Sequence, residues 1–198
     1  MRHGRKTKMR PFTGFKRHVI KLVDADLIVD ALVRPANESE HATLAQLTPA
    51  VAAWGTVDEL LIDRGYLGSP AIAPLHAAGV TIRAKAWTST NRGRFPKHVF
   101  TLDLEAAQAT CPAGQRTPIP AAATAIHFPA TVCGPCGLRA QCTTAARGGR
   151  SIALHPQEAL LQQLRHAQQQ PDGRVQLRAR TTIEHSLARV QQIQGPRA

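Results

Sequence analysis

The stretch Val57–Ala86, VDELLIDRGYLGSPAIAPLHAAGVTIRAKA, decides the fold. Val57–Ile62 is a short apolar strand that ends at Asp63. Ser69 and Pro70 follow as an N-cap and a proline at the first helical position, which predicts a helix closing at Gly79. Val80, Ile82, Ala84 and Ala86 then alternate with Thr81, Arg83 and Lys85, giving a strand with one buried and one basic face. Strand, helix and strand in this short space call for an α/β sheet.

Upstream, Phe15–Asp24 and Leu27–Val33 (LIVDALV) are two apolar strands around the turn Asp24-Ala25-Asp26, so a hairpin is expected. Pro35-Ala36-Asn37 stops it. Glu38 to Trp54 follows as a helix with Leu44, Leu47 and Val51 on one stripe, disturbed by Pro49. The first ten residues are polar and basic and are expected to be poorly ordered. Downstream, residues 88–154 are rich in Gly, Pro, Thr and Ala, carry all four cysteines and show little periodicity, which marks an insert. Helical patterning returns from His155, with Leu160, Leu161 and Leu164 on one stripe. Pro171-Asp172-Gly173 breaks that helix, and a second is expected from Arg174 to Ile193 with Ile183, Leu187 and Val190 aligned. Three segments result: 1–87 and 155–198 of one catalytic-type domain, and 88–154 inserted between them.

The chain has 198 residues and a formal net charge of +12, from 25 Lys+Arg against 13 Asp+Glu. No stretch approaches the roughly 20 apolar residues of a membrane span, and no apolar run follows the charged N-terminus, so a cytoplasmic protein is expected. The charge falls in three groups. Arg2, Arg5, Lys6, Lys8, Arg10, Lys16, Arg17 and Lys21 form the first, Arg83, Lys85, Arg92, Arg94 and Lys97 the second, and Arg174, Arg178, Arg180 and Arg189 the third. Groups of this kind suit a polyanion, nucleic acid above all, although a solvated surface gives the same pattern. Arginine outnumbers lysine 19 to 6, which favours bidentate phosphate contacts and equally fits a GC-rich genome.

Cys111 is followed after 21 residues by Cys133-Gly-Pro-Cys136 and after five more by Cys142. A Cys-x-x-Cys turn brings two sulfurs to one tetrahedral centre, and the other two could complete a four-thiolate zinc site. Reduced, unliganded thiols and a disulfide or redox use stay open as alternatives. Two acids stand out by position: Asp63 at a strand end and Glu184 on the last helix, one turn after Arg180. Carboxylates held this way are what Mg²⁺-dependent phosphoryl chemistry needs. A loop cap at Asp63 and an i, i+4 pair between Arg180 and Glu184 are the ordinary alternatives.

The chain also carries R-H-G-R-K (Arg2–Lys6), G-F-K-R-H-V (Gly14–Val19), R-P-A-N (Arg34–Asn37), L-I-D-R-G-Y-L-G-S (Leu61–Ser69) and G-R-F (Gly93–Phe95). C-P-A-G-Q (Cys111–Gln115), F-P-A (Phe128–Ala130), C-G-P-C-G-L-R-A-Q-C (Cys133–Cys142), G-R-S (Gly149–Ser151) and R-T-T-I-E-H (Arg180–His185) follow. In this order the segments resemble the DDE transposases of bacterial insertion sequences, in the group with a cysteine-bearing insert. The resemblance implies a partial RNase H-like mixed sheet with flanking helices, DNA as substrate, and Mg²⁺-dependent strand cleavage and transfer. Asp63 and Glu184 match two members of the family's acid triad, and Arg180 its signature arginine. Arg64, Arg83, Lys85 and Arg180 are expected near DNA phosphates. Leu177 and Gln191 stand where that signature has tyrosine and lysine.

The first acid of the triad belongs on a first strand, and only two strands precede the helix at residues 38–54 in this reading. Asp24 is the best substitute among Asp24, Asp26 and Asp30, but it sits at a turn. The expectation is therefore an internal, inactive piece of a transposase, lacking its first strand and stopping short in the final basic helix. A zinc-stapled, non-catalytic DNA-binding protein that acts on a full-length transposase or on its own copies is the rival reading, and a degenerate remnant the third.

Overall fold

The computed structural model describes residues 3–7 and 10–194. Arg2, Lys8, the side chains of Arg5, Lys6, Arg10 and Arg174, and the final Gly-Pro-Arg segment lie outside the described parts. The chain divides into two compact units: one built from the segments up to Ala86 and from Gln163 onward, the other from Trp87–Gln162.

In the first unit, β1 (His3–Thr7) and β2 (Arg10–Thr13) pair antiparallel with each other. The expected disorder of the first ten residues is thus replaced by a hairpin over the described part. Four strands, not two, precede the first helix. The first pair escapes sequence reading because it is basic, short and interrupted by Pro11, with no apolar alternation to betray it. It contains no acid, so it supplies no candidate for the first member of the triad. Gly4 lies where a Cβ would fall 2.5 Å from the Ala36 carbonyl oxygen, so the close approach of β1 to the end of the next hairpin needs glycine.

β3 (Phe15–Leu22) and β4 (Leu27–Pro35) form the expected hairpin. Its register shifts between Ile20 and Lys21, which pair with Asp30 and Ile28, so Val29 is the extra residue of a bulge on β4. Two residues three apart normally face opposite sides of a sheet. Here His18 and Lys21 are both buried, at 4% and 8% exposure.

α1 (Glu40–Ala52) runs through Pro49, lies against β4, and buries Thr43, Leu44 and Leu47. β5 (Glu59–Leu61) pairs in parallel with β6 (Thr81–Arg83), and the ladder runs on through the Ile62 N–H to the Arg83 carbonyl at 2.9 Å. Between them α2 (Ile72–Ala77) begins later than the Ser69-Pro70 signal predicts. Ser69 caps instead a preceding turn, where its hydroxyl accepts the Ala71 N–H at 3.3 Å. The helix does close before Gly79, whose φ of +90° favours a residue without Cβ. Leu67 and Ile72 are almost fully buried around this crossover, each worth about 1.5–3 kcal/mol of burial. Val80, Ile82, Ala84 and Ala86 are buried and alternate with more exposed neighbours, as the basic-faced strand requires. The β3–β4 and β5–β6 pairs are separate two-stranded sheets. The class is α/β, with small sheets and flanking helices, consistent with a partial RNase H-like domain.

In the second unit, β7 (Thr101–Asp103), β8 (Gln108–Thr110) and β9 (Arg116–Pro118) form an antiparallel meander, and β10 (Ala125–His127) pairs with β11 (Ser151–Ala153). Three-residue strands are too short to show a period in sequence, which is why this region looked patternless. Phe100, Leu102, Ala109, Ile126, Phe128 and Ile152 make its core. The one-turn helices α3 (Ala130–Cys133) and α4 (Arg139–Cys142) carry cysteines at their ends.

α5 (Glu158–Gln169) buries Leu160, Leu161 and Leu164. The single helix expected over 174–193 is two: α6 (Pro171–Arg178), which Pro171 starts rather than interrupts, and α7 (Thr181–Gln194). Arg180 occupies the break between them.

Candidate functional site

Asp63 follows β5 by two residues and caps a 3₁₀ turn, Arg64–Tyr66. Its Oδ1 accepts the Arg64 backbone N–H at 2.7 Å. Its Oδ2 is 3.0 Å from Nη1 of Arg180. The other guanidinium nitrogen, Nη2, donates to Oε1 of Glu184 at 3.4 Å. One arginine thus bridges two carboxylates from distant parts of the sequence. Both ordinary alternatives, the loop cap and the i, i+4 pair, are present as well, and the bridge is added to them. The site is open: the side chains of Asp63 and Glu184 are 54% and 63% exposed.

Lys21 fixes the helix that carries Glu184. Its ammonium donates to the Thr182 carbonyl at 3.2 Å and the Ser186 hydroxyl at 2.8 Å, and it pairs with Asp26. The hydrogen bond from Lys21 holds the Asp26 carboxyl below its usual range, with help from the lysine's charge. Lys21 therefore leaves the exposed basic group in which the sequence placed it. Asp24 remains at the exposed hairpin turn. Asp30 accepts the N–H of its own neighbour, Ala31, at 2.8 Å.

Behind Asp63, the Tyr66 hydroxyl and His18 Nδ1 are 2.5 Å apart, with the rings edge to face. Burial lowers the His18 pKa and so favours the neutral ring in its hydrogen bond with the Tyr66 hydroxyl. Burial, with Glu40 and Asp63 nearby, pushes the Tyr66 pKa up to about 12. Glu40 also occupies the space a Gly65 side chain would need. Neither His18, Lys21 nor Glu40 was singled out from the sequence. His18 and Lys21 lie three apart on one strand, a spacing that does not point to a shared buried face.

Among the expected DNA contacts, Arg64 and Lys85 are exposed. Arg83 pairs at 2.5 Å with Glu59 on the neighbouring strand, so its charge is partly offset. In the second unit, Cys111, Cys133, Cys136 and Cys142 are all free and line one cavity. Burial pushes the Cys142 thiol up, Arg150 acts against this, and the other three cysteines add to it.

The fold supplies the α/β class, and the family follows from sequence. Residues 110–198 match the family model of the transposase DDE domain. That part of the chain is similar to DDE transposases, and it includes Arg180, Glu184 and the four cysteines, while Asp63 lies outside the matched range. No curated protein and no solved structure matches the chain. The family implies a DNA substrate and a divalent metal, typically Mg²⁺. Asp63 and Glu184 each have a carboxylate oxygen on Arg180. Among the described residues no group of three or more His, Cys, Asp or Glu is placed to hold a metal ion as it stands. No helix among the described residues is long and apolar enough to cross a membrane.

Proposed function

We propose that this chain serves DNA transposition as a DNA-binding protein of the DDE type, with Asp63 and Glu184 as two of the acids that hold Mg²⁺. The observation that carries this reading is the bridge from Arg180 to both carboxylates. It brings together the two acids and the arginine that the motifs single out. When bound, the metal supplies Lewis acidity at the scissile phosphate. Arg180, released from the carboxylates, takes a phosphate oxygen in their place, with Arg64, Lys85 and Arg83 along the backbone. The motifs account for only two members of the acid triad, and on this reading the chain by itself binds DNA without cutting it.

The test is a binding and nicking assay on DNA carrying the ends of the element. Affinity should fall steeply with added salt and survive Asp63→Asn. Salt-insensitive or absent binding would overturn the DNA-binding reading. Mg²⁺-dependent nicking that Asp63→Asn abolishes would overturn the non-cutting part and make the chain an active nuclease. The incomplete acid set also favours a second reading, a purely DNA-binding partner of a full-length transposase, for which Glu184→Gln should leave binding and pairing with that transposase unchanged.

A further inference from the structure

We propose that Cys111, Cys133, Cys136 and Cys142 form a structural zinc site that staples the Trp87–Gln162 unit. The site stands independently of the transposition reading. All four side chains line a single small cavity of about 20 Å³ that is partly open to solvent, and all four are free of disulfides. They come from three separate places: just past β8, both ends of the turn after α3, and the end of α4. One ion at their centre would tie a sheet to two helical turns.

The local backbone suits thiolate ligands. The Gly114 N–H closes a tight turn onto the Cys111 carbonyl at 2.8 Å, and the Arg139 N–H does the same to the Cys136 carbonyl at 3.0 Å. The Arg150 N–H already points at Cys133 Sγ, 3.5 Å away, the kind of donor that steadies a metal-bound sulfur. Phe95, Phe128, Val132 and Leu138 line the same cavity and would shield the ion from water. Arg139 and Arg150 also line it, and their charge offsets the double negative charge of four thiolates around Zn²⁺.

No three thiols are yet placed as a ready ligand set among the described residues. Binding would require side-chain rotation within the shared cavity, with each thiol losing its proton to solvent as the Zn–S bond forms. A soft four-sulfur set selects Zn²⁺ over the hard cations. The need for a staple follows from size: the unit's core consists of six buried residues joined by three-residue strands.

The full chain, purified under reducing conditions without chelator, should contain about one zinc per molecule. Titration of the metal-free chain with Co²⁺ should give the absorption of a tetrahedral thiolate complex. Zinc should protect all four cysteines from alkylation, and a chelator should expose them. Cys136→Ser, the mildest of the four replacements because this residue is outside the packed core, should lower zinc affinity at least tenfold. Absence of bound zinc together with no cobalt spectrum would overturn the proposal. So would disulfides in the purified chain, an iron–sulfur chromophore, or alkylation that zinc does not slow.

Discussion

Arg180 Nη1 stands 3.0 Å from Asp63 Oδ2, and this contact joins the end of a strand to the gap between two helices. The pair is half-exposed, as is the companion pair with Glu184, so its worth is in placement more than in stability. Arg180→Ala should cost no more than about 1 kcal/mol in denaturant unfolding. It should nevertheless free both carboxylates, so the variant should take up Mn²⁺, read by its effect on water relaxation, at least as well as the parent. A loss of several kcal/mol would show that the bridge is a structural strut instead.

Lys21 holds α7 through the Thr182 carbonyl, the Ser186 hydroxyl and Asp26. Lys21→Ala removes the cation and leaves these partners without it, which should cost about 1–3 kcal/mol. Hydrogen exchange should quicken along Thr181–Gln194 before it does in the β3–β4 hairpin. Equal acceleration everywhere would mean that Lys21 supports the whole unit and not this helix.

The chain contains a single tyrosine, so phenolate absorbance reports on Tyr66 alone. In the folded chain the signal should appear near pH 12, against about 10 in denaturant. The raised pKa means that the folded state holds its proton more tightly. That contribution to stability is fully present below pH 10 and is lost as the pH rises towards 12. Titration near 10 without unfolding would contradict the buried contact with His18.

At the acid end, His18 and His155 both have pKa values lowered chiefly by burial. Around His18, Glu40 and Glu38 raise the value while Lys16 and Arg34 lower it further. Around His155, Glu158 opposes the burial and Lys97 adds to it. The neutral rings stabilise the fold above the ordinary histidine value of 6.5, and that stability is lost as the pH falls below it. The melting temperature should fall on acidification from pH 7 to 5, and His18→Gln should flatten part of that slope. An unchanged slope would place the acid sensitivity elsewhere.

In the second unit, Glu158 is 5% exposed and pairs with Lys97 at 2.5 Å, while also accepting the His155 N–H at 3.2 Å. Glu158→Ala leaves an ammonium without its counter-ion and should destabilise by about 3–5 kcal/mol. Lys97 keeps only the Ala153 carbonyl, at 2.7 Å. Glu158→Gln should retain more stability than the alanine variant in a melt, and parity between the two would contradict the ion pair.

Much of the first unit was legible because its signals are local. Apolar and β-branched runs marked β3 and β4, alternation marked the buried face of residues 80–86, and the strand leading to Asp63 was plain from Val57–Ile62. The sequence set Asp63 at the end of a strand, and the structure has it two residues past β5, capping the turn Arg64–Tyr66. The β1–β2 hairpin was hidden by a basic sequence without alternation, and the break at Arg180 by helix-favouring residues on both sides.

What the sequence by itself determined is the α/β order, the positions of Asp63 and Glu184 on their elements, and the basic character of the chain. Those follow from side-chain alternation and backbone chemistry acting over a few residues. Only the tertiary structure decided that Arg180 links the two acids, that His18 and Lys21 are both buried, and that four dispersed cysteines line one cavity. Each of these depends on chain segments closing over long separations. The energy that drives such closure is non-directional burial, which no local pattern of residues encodes.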